Sequence, residues 1–327
     1  MYKRQVLTNL SATFRLPGRA RLRAGIFKYP GGEEGFQGVQ SFDYINFTGV
    51  TDFIVLERIA RSDGSGTPPN GGGGDGSAND PRNGAFRDFG VQLFDVFRAK
   101  AWEVSYAAMI GNGNGSEFRD NDHRKDLYLY SSFEKIISGA GPLREGHKFY
   151  AWHHSGRRRL SGDDSAVYDR DRWGVGAISR KGPLRLGFEY VDASGMIFSG
   201  TDGGAVPGSR SNSGIGVASF NFLTDERAHG WYADVGYRFL PSFEFDLRFD
   251  RLQIGTSTPQ NERRFETLTA GLKYSFRQRP DRIRNLRLIF NYEFRSAEAP
   301  GLPAGTAPNQ ILSGLDDRFG FQVQAIF

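Results

Sequence analysis

Charged residues recur at every second position in part of this sequence. Glu244, Asp246, Arg248 and Asp250 alternate with Phe243, Phe245, Leu247 and Phe249. Such a row does electrostatic work on whatever lies beside it: it attracts counter-charges, orients dipoles and holds water. The same alternation nominates a basic set: Arg21, Arg23, Arg185, Arg238, Arg248, Lys273, Arg287 and Arg295. It also nominates an acidic set: Glu103, Glu189, Asp234, Glu244, Asp246, Asp250 and Glu293. Bases dominate some segments and acids others. Opposed walls of the two signs would set a transverse field across a watery passage. Alternatively, the charges pair across neighbouring strands and fill a polar interior. Both arrangements are open at this point.

Bond-breaking chemistry has little to work with. The chain has no cysteine and five histidines, so thiolate metal sites and cysteine nucleophiles are excluded. His153 and His154 are adjacent, and in a strand they face opposite sides, so they cannot share a metal. No Gly-x-Ser-x-Gly occurs. The glycines at 71–74 before Asp75 lack a following helix, so they read as a loop tip rather than a phosphate cradle. Arg157, Arg158 and Arg159 form a short basic run that reads as solvated, with lipopolysaccharide phosphates as its other possible partner. No cofactor, metal or enzymatic activity is expected.

The elements that must position these charges are strands. Leu268, Ala270, Leu272, Tyr274 and Phe276 repeat the period of two, as do Leu286, Leu288, Phe290, Tyr292 and Phe294. The chain closes on Phe319, Phe321, Val323, Ala325 and Phe327. Thirteen strands are expected, near 6–15, 20–29, 86–96, 99–110, 124–136, 146–156, 168–180, 183–194, 228–240, 242–254, 263–277, 284–296 and 317–327. Soluble strands average about 5–6 residues, whereas a tilted strand crossing a bilayer needs about 9–11. Short links at Pro17-Gly18, Phe97-Arg98, Gly182-Pro183 and Leu240-Pro241 alternate with longer loops. That parity is the pattern of periplasmic turns and extracellular loops in an outer-membrane barrel. A soluble β-sandwich or solenoid shares the alternation but not the strand length or loop parity. The expected fold is therefore all-β: an antiparallel transmembrane β-barrel. Lys28 strains the scheme, because parity with Leu22, Ala24 and Ile26 points it to lipid. A place at the outer end of its strand would turn it into water.

Bulk composition agrees. The 327 residues are 38% hydrophobic and 14% aromatic, with 43 glycines. No apolar run is long enough for a spanning helix. A net charge of +5 from 42 basic and 37 acidic residues, spread along the chain, does not indicate nucleic-acid binding. The start is peculiar: read back into codons, Met1-Tyr2-Lys3-Arg4-Gln5 matches the end of a transposon adapter used in DNA library preparation. Residues 1–5 are expected to be sequencing artefact, and 6–327 a barrel lacking its first strands. The odd strand count agrees, since bacterial single-chain barrels have an even number. Re-sequencing the locus tests this.

The stretch Arg23-Ala24-Gly25-Ile26-Phe27-Lys28-Tyr29-Pro30-Gly31-Gly32-Glu33-Glu34 resembles the Phe-Lys-x-Pro-x-Gly-x-Glu signature of the phosphate-selective porin O and P family. Glu57-Arg58, the run Arg87-Asp88-Phe89-Gly90-Val91-Gln92-Leu93, and Tyr106 followed by Gly111-Asn112-Gly113-Asn114-Gly115 are similar to later segments of that family. The likeness covers about residues 20–130. It implies a trimeric, sixteen-stranded barrel, so that three strands precede the first one here. The loop at 30–85 then becomes a third extracellular loop that folds inward and narrows the pore. Gly31 departs from the family, which carries an aromatic there.

Arg58, Arg61 and Arg82 in that loop stand against Glu33, Glu34, Asp43, Asp52, Glu57, Asp63, Asp75 and Asp80. This acidic balance argues against carrying phosphate specificity over, and favours general or weakly cation-preferring diffusion. The expected function is an outer-membrane porin passing small hydrophilic solutes or ions, with anions such as phosphate kept as candidates. The competing readings are an adhesin or sheath barrel holding a partner, and a barrel enzyme. Expected partners are outer-membrane lipid, lipopolysaccharide, two further copies of the chain, and the barrel-assembly machinery, for which Phe319, Phe321 and Phe327 resemble the terminal signal.

Overall fold

A computed structural model describes residues 9–38, 41–56, 86–113, 115, 123–141, 143–159, 167–200, 221–276 and 286–325. Aromatic and aliphatic residues at alternate positions suit a pleated surface with two unlike faces. They form β1 (Leu10–Arg15), β2 (Arg21–Lys28), β3 (Arg87–Ala99), β4 (Trp102–Gly111), β5 (Asp126–Ser138), β6 (Glu145–Arg159), β7 (Val167–Lys181) and β8 (Leu184–Ser194). Then come β9 (Ile197–Gly200), β10 (Asn221–Leu223), β11 (Arg227–Leu240), β12 (Phe243–Ile254), β13 (Arg263–Ser275), β14 (Leu286–Glu298) and β15 (Arg318–Ala325). Thirteen of them make one antiparallel sheet in chain order, with β8 pairing directly to β11. β9 and β10 form a separate hairpin between those two strands.

Each of the thirteen expected segments falls on a strand of this sheet. One expected turn moves. β3 continues through Phe97 and Arg98, and the reversal comes at Lys100, whose φ is +54°. The extension keeps Arg98 opposite Glu103, where the two form an ion pair at 2.5 Å. Two short α-helices, besides a π turn over Thr51–Val55, also lie in segments read as plain loop. These are α1 (Glu33–Phe36) and α2 (Ala307–Leu312), the second opened by a proline and burying Leu312 against Ala299.

The register sorts the faces. Inward sit Glu103, Asp126, His154, Arg172, Glu189, Asp234, Arg248, Thr269 and Glu293, linked by direct cross-strand pairing or one strand removed. Outward sit Phe149, Phe245 and Phe319, 62%, 45% and 66% exposed, while Asp246 and Arg248 are 0% and 2% exposed. Buried charge and exposed aromatics invert the order of a soluble protein. That inversion disposes of the soluble sandwich. The fold is all-β and antiparallel, of the transmembrane barrel type.

Aromatics gather at two levels of the outer face. Trp173 packs on Tyr190 at 5.5 Å and Trp231 on Phe249 at 5.3 Å. At the other level Phe243, Tyr274 and Phe276 contact one another at 4.7 and 4.8 Å. On β11, Trp231 and Phe239 mark the two levels, about 26 Å apart at ~3.3 Å per residue. A tilt of about 40° brings this to ~20 Å of height, close to the ~25 Å apolar band of outer-membrane barrels. The sheet curls, because one segment on its inner face touches strands from β5 round to β14. Among the described residues, β1 and β15 each pair with a single strand.

Candidate pore constriction

That inner segment is residues 29–56. β2 ends at Lys28, and the chain turns into the space enclosed by the sheet. The Lys28 ammonium donates to the carbonyls of Gly35 and Gln37, each at 2.7 Å. The awkward parity of this lysine is resolved by its place at the strand end, though its head folds onto the segment's own backbone rather than into open water. Tyr29 stacks on Tyr128 at 4.8 Å, and its hydroxyl donates to Val55 O at 3.1 Å. The two ends of the segment are thereby tied together. At Gly31 a Cβ would come within 2.9 Å of the His154 ring, whose Nε2 meets Pro30 O at 2.7 Å. The imidazole occupies the space that a side chain at this position would need.

Acidic side chains of the segment are then seated on basic side chains of the wall. Glu33 meets Lys148 at 2.6 Å, and Glu34 meets Arg248 at 2.8 Å. Asp43 lies 2.5 Å from Lys273 and 3.1 Å from Arg185. Burial pushes the Asp43 carboxyl up, but Arg185 and Lys273 outweigh it and hold the group below the usual carboxylate range. Arg185 also pairs with Asp234 and Asp246, and Lys273 with Glu244 and Asp246. Tyr44 lies under the Arg248 guanidinium, 4.2 Å from ring centroid to Cζ. Backbone groups finish the seating. Ile45 N donates to Asn291 at 2.7 Å and Gly49 N to Asp250 at 3.1 Å. Arg172 donates to Ile54 O at 2.9 Å, Arg170 to Val55 O at 3.1 Å, and Arg287 to Phe42 O at 2.5 Å.

Every residue nominated for the pore wall lies on the inner face, but the residues fall into two groups. Glu189, Arg248, Lys273, Arg287, Asp246 and Glu293 are buried beneath the segment. Glu189 there accepts from Trp152, Tyr232 and the backbone of Glu33. Arg185, Asp234 and Glu244 belong to the same charge cluster. Toward the ends, Glu103 pairs with Arg98 and Arg144, Arg238 reaches Gly182 O, and Arg295 reaches Asp316 O. Arg21 and Arg23 stay open on the inner face, Arg23 resting over Phe27 and Phe94 at 5.3 and 5.2 Å. The two-wall picture gives way to pairing here. Unpaired charges beneath a packed segment would each cost several kcal/mol, so acids and bases interleave.

Other sequence readings resolve similarly. Asp52 sits half-buried in a π turn over Thr51–Val55. Arg157 points outward to Asp169 at 2.7 Å while Arg158 points inward to Asp126 at 2.7 Å, so the basic run does not present one outer cluster. His153 meets Asp171 on the outer face, opposite to His154. Phe319 and Phe321 face outward and are exposed. Glu57, Arg58, Arg61, Arg82, Phe327, residues 1–5 and the glycine run near 71–75 lie outside the described residues. Sequence reading missed Arg170 and Arg172. In Asp169-Arg170-Asp171-Arg172 both faces carry charge, so alternation has no apolar side to mark the outside.

No family model and no curated protein matches the sequence. Among solved structures the chain is similar to the anion-selective porin of Comamonas acidovorans, at 12% identity and a TM-score of 0.49, over 85% of this chain and 64% of that one. It is similar also to the outer-membrane protein OmpT of Vibrio cholerae, at 10% and 0.44, over 86% and 70%. A third is OccAB1 of Acinetobacter baumannii, at 11% and 0.37, over 93% and 72%. The chain spans less than two thirds of the length of the first. The fold assignment stands on the strands, faces and belts described above.

Proposed function

We propose that this chain forms the wall and constriction of an outer-membrane porin that passes small hydrophilic solutes or ions by passive diffusion. The observation that carries it is the inside-out sheet with a segment seated across its concave face by ion pairs and by an apolar cluster. An apolar band with aromatic rims suits lipid, and a charged interior suits water. A segment tied to the inner wall at five or more points narrows such a barrel without closing it by a movable plug.

The acidic surplus of 30–85 supports cation preference less than composition suggests, because Glu33, Glu34 and Asp43 are each neutralised by a wall base. General diffusion of anions is therefore part of the proposal. The resemblance to the phosphate-selective porin O and P family makes phosphate the first anion to test. Residence in the bacterial outer membrane, contact with lipopolysaccharide, assembly as a homotrimer and delivery by the barrel-assembly machinery belong to the same reading. The last two rest on the resemblance.

Planar-bilayer recording tests it. Discrete conductance steps that scale with bulk salt conductivity are expected. A folded protein that inserts yet stays silent would sink the porin reading and favour a structural or partner-holding barrel.

A further inference from the structure

The inner wall is largely self-neutralised, which makes any lone charge on it conspicuous. Arg180, near the end of β7, is such a charge. It is partly exposed, and among the described residues it has no carboxylate within ion-pair distance and no hydrogen-bond acceptor. Its cross-strand partner on β6 is Gly146 and on β8 Arg185. Arg185 is already committed to Asp43, Asp234 and Asp246.

The position of Arg180 gives this charge leverage. A cavity of about 290 Å³ lies at the short-turn end of β5, β6 and β7, lined by Glu33, Glu134, Arg144, Lys148, Ile178 and Arg180. A narrower space of about 30 Å³ runs beside the crossing segment, and Glu33, Ile178 and Arg180 line that one as well. Arg180 therefore stands where the wide space meets the narrow one. Around it Lys148 is taken by Glu33, and Arg144 by Glu134 and Glu103. Arg180 alone among these bases makes no direct ion pair; it lines the narrow space with Arg185, Arg248, Glu33, Glu34, Asp43 and Asp234, and from there it helps to hold the Asp43 carboxyl down. Between low-dielectric walls a charge with no direct ion-pair partner acts on a passing ion with little screening, and it does so most where the passage is narrowest.

We propose that Arg180 is the residue that sets the ion preference of this pore, biasing it toward anions. The inference rests on the porin reading above. A guanidinium never loses its charge in the physiological range, so the bias is constant with pH. Because Arg180 makes no hydrogen bond or ion pair to the segment among the described residues, its replacement is expected to leave the wall intact.

The test compares the full chain with Arg180→Gln, Arg180→Glu and Arg180→Lys in planar bilayers under a KCl gradient. Folding is checked by β-sheet circular dichroism and heat-modifiable gel mobility. The unaltered chain is expected to give a reversal potential of the anion-preferring sign. Arg180→Gln moves it toward zero, Arg180→Glu carries it through zero, and Arg180→Lys keeps it. Arg157→Gln, on the outer face, leaves it unchanged. Conductance with the same reversal potential in Arg180→Glu as in the unaltered chain overturns the assignment of Arg180 and leaves the porin standing. Absence of conductance from the unaltered, folded chain overturns the porin reading and this inference with it.

Discussion

At the scale of single residues, the constriction is held by charges that are individually expensive and collectively matched. Asp43 is the clearest case, a carboxylate of the segment between Lys273 and Arg185 of the wall. Removing one partner of a buried pair costs about 3–5 kcal/mol when the other is left alone. Lys273 and Arg185 keep Asp246, so Asp43→Asn is expected near the lower end of that range. The segment should loosen while the wall stays folded. The measurement is single-channel conductance, which should rise and become noisier; an unchanged trace would show that Asp43 does not hold the segment. Gly31 allows a sharper test. Gly31→Ala sets a methyl against the His154 ring, and overpacking of this kind costs about 1–3 kcal/mol. Adding His154→Ala removes the obstacle. In a urea-unfolding titration the double variant is expected to be no less stable than His154→Ala alone, whereas additive losses would place the clash elsewhere.

At the scale of elements, β12 states the architecture most plainly. Phe245, Leu247 and Phe249 face outward, and Asp246, Arg248 and Asp250 face inward. Leu247→Arg puts a guanidinium into the middle of the apolar band, for about 2–4 kcal/mol. Gln253→Arg, beyond the aromatic rim on the same face, should cost about 0–1 kcal/mol. Unfolding from lipid vesicles measures the difference, and equal costs at the two depths would contradict the membrane setting. Alternation made this strand legible, and the same holds for β13 and β14. The elements that were missed lack a periodic face. α1 is 4 residues long, α2 is 6, and the β9–β10 hairpin joins strands of 4 and 3 residues. None is long enough for its pattern to stand out from a loop.

At the scale of the whole molecule, permeation depends on how much space the seated segment leaves. Replacing residues 41–50 by a flexible Gly/Ser linker removes Asp43, Tyr44, Asn46 and Gly49 from their partners without touching a strand. Sheet content is expected to persist, because its hydrogen bonds run between chain neighbours. The size limit for neutral sugars in a liposome-swelling assay should increase, and an unaltered limit would mean that the segment is not the constriction. Sequence alone determined the thirteen strands of the sheet, their order, the lipid-facing side and many, though not all, of the inward charges. Those follow from a local rule, since a period of two assigns each residue to a face from its immediate neighbours. It could not determine which charges meet. Glu34 and Arg248 stand 214 positions apart, and Asp43 and Lys273 230. Only the curl of the sheet around its own inner segment brings them together. The same curl seated Glu33, Glu34 and Asp43 on wall bases and left Arg180 without a direct ion pair.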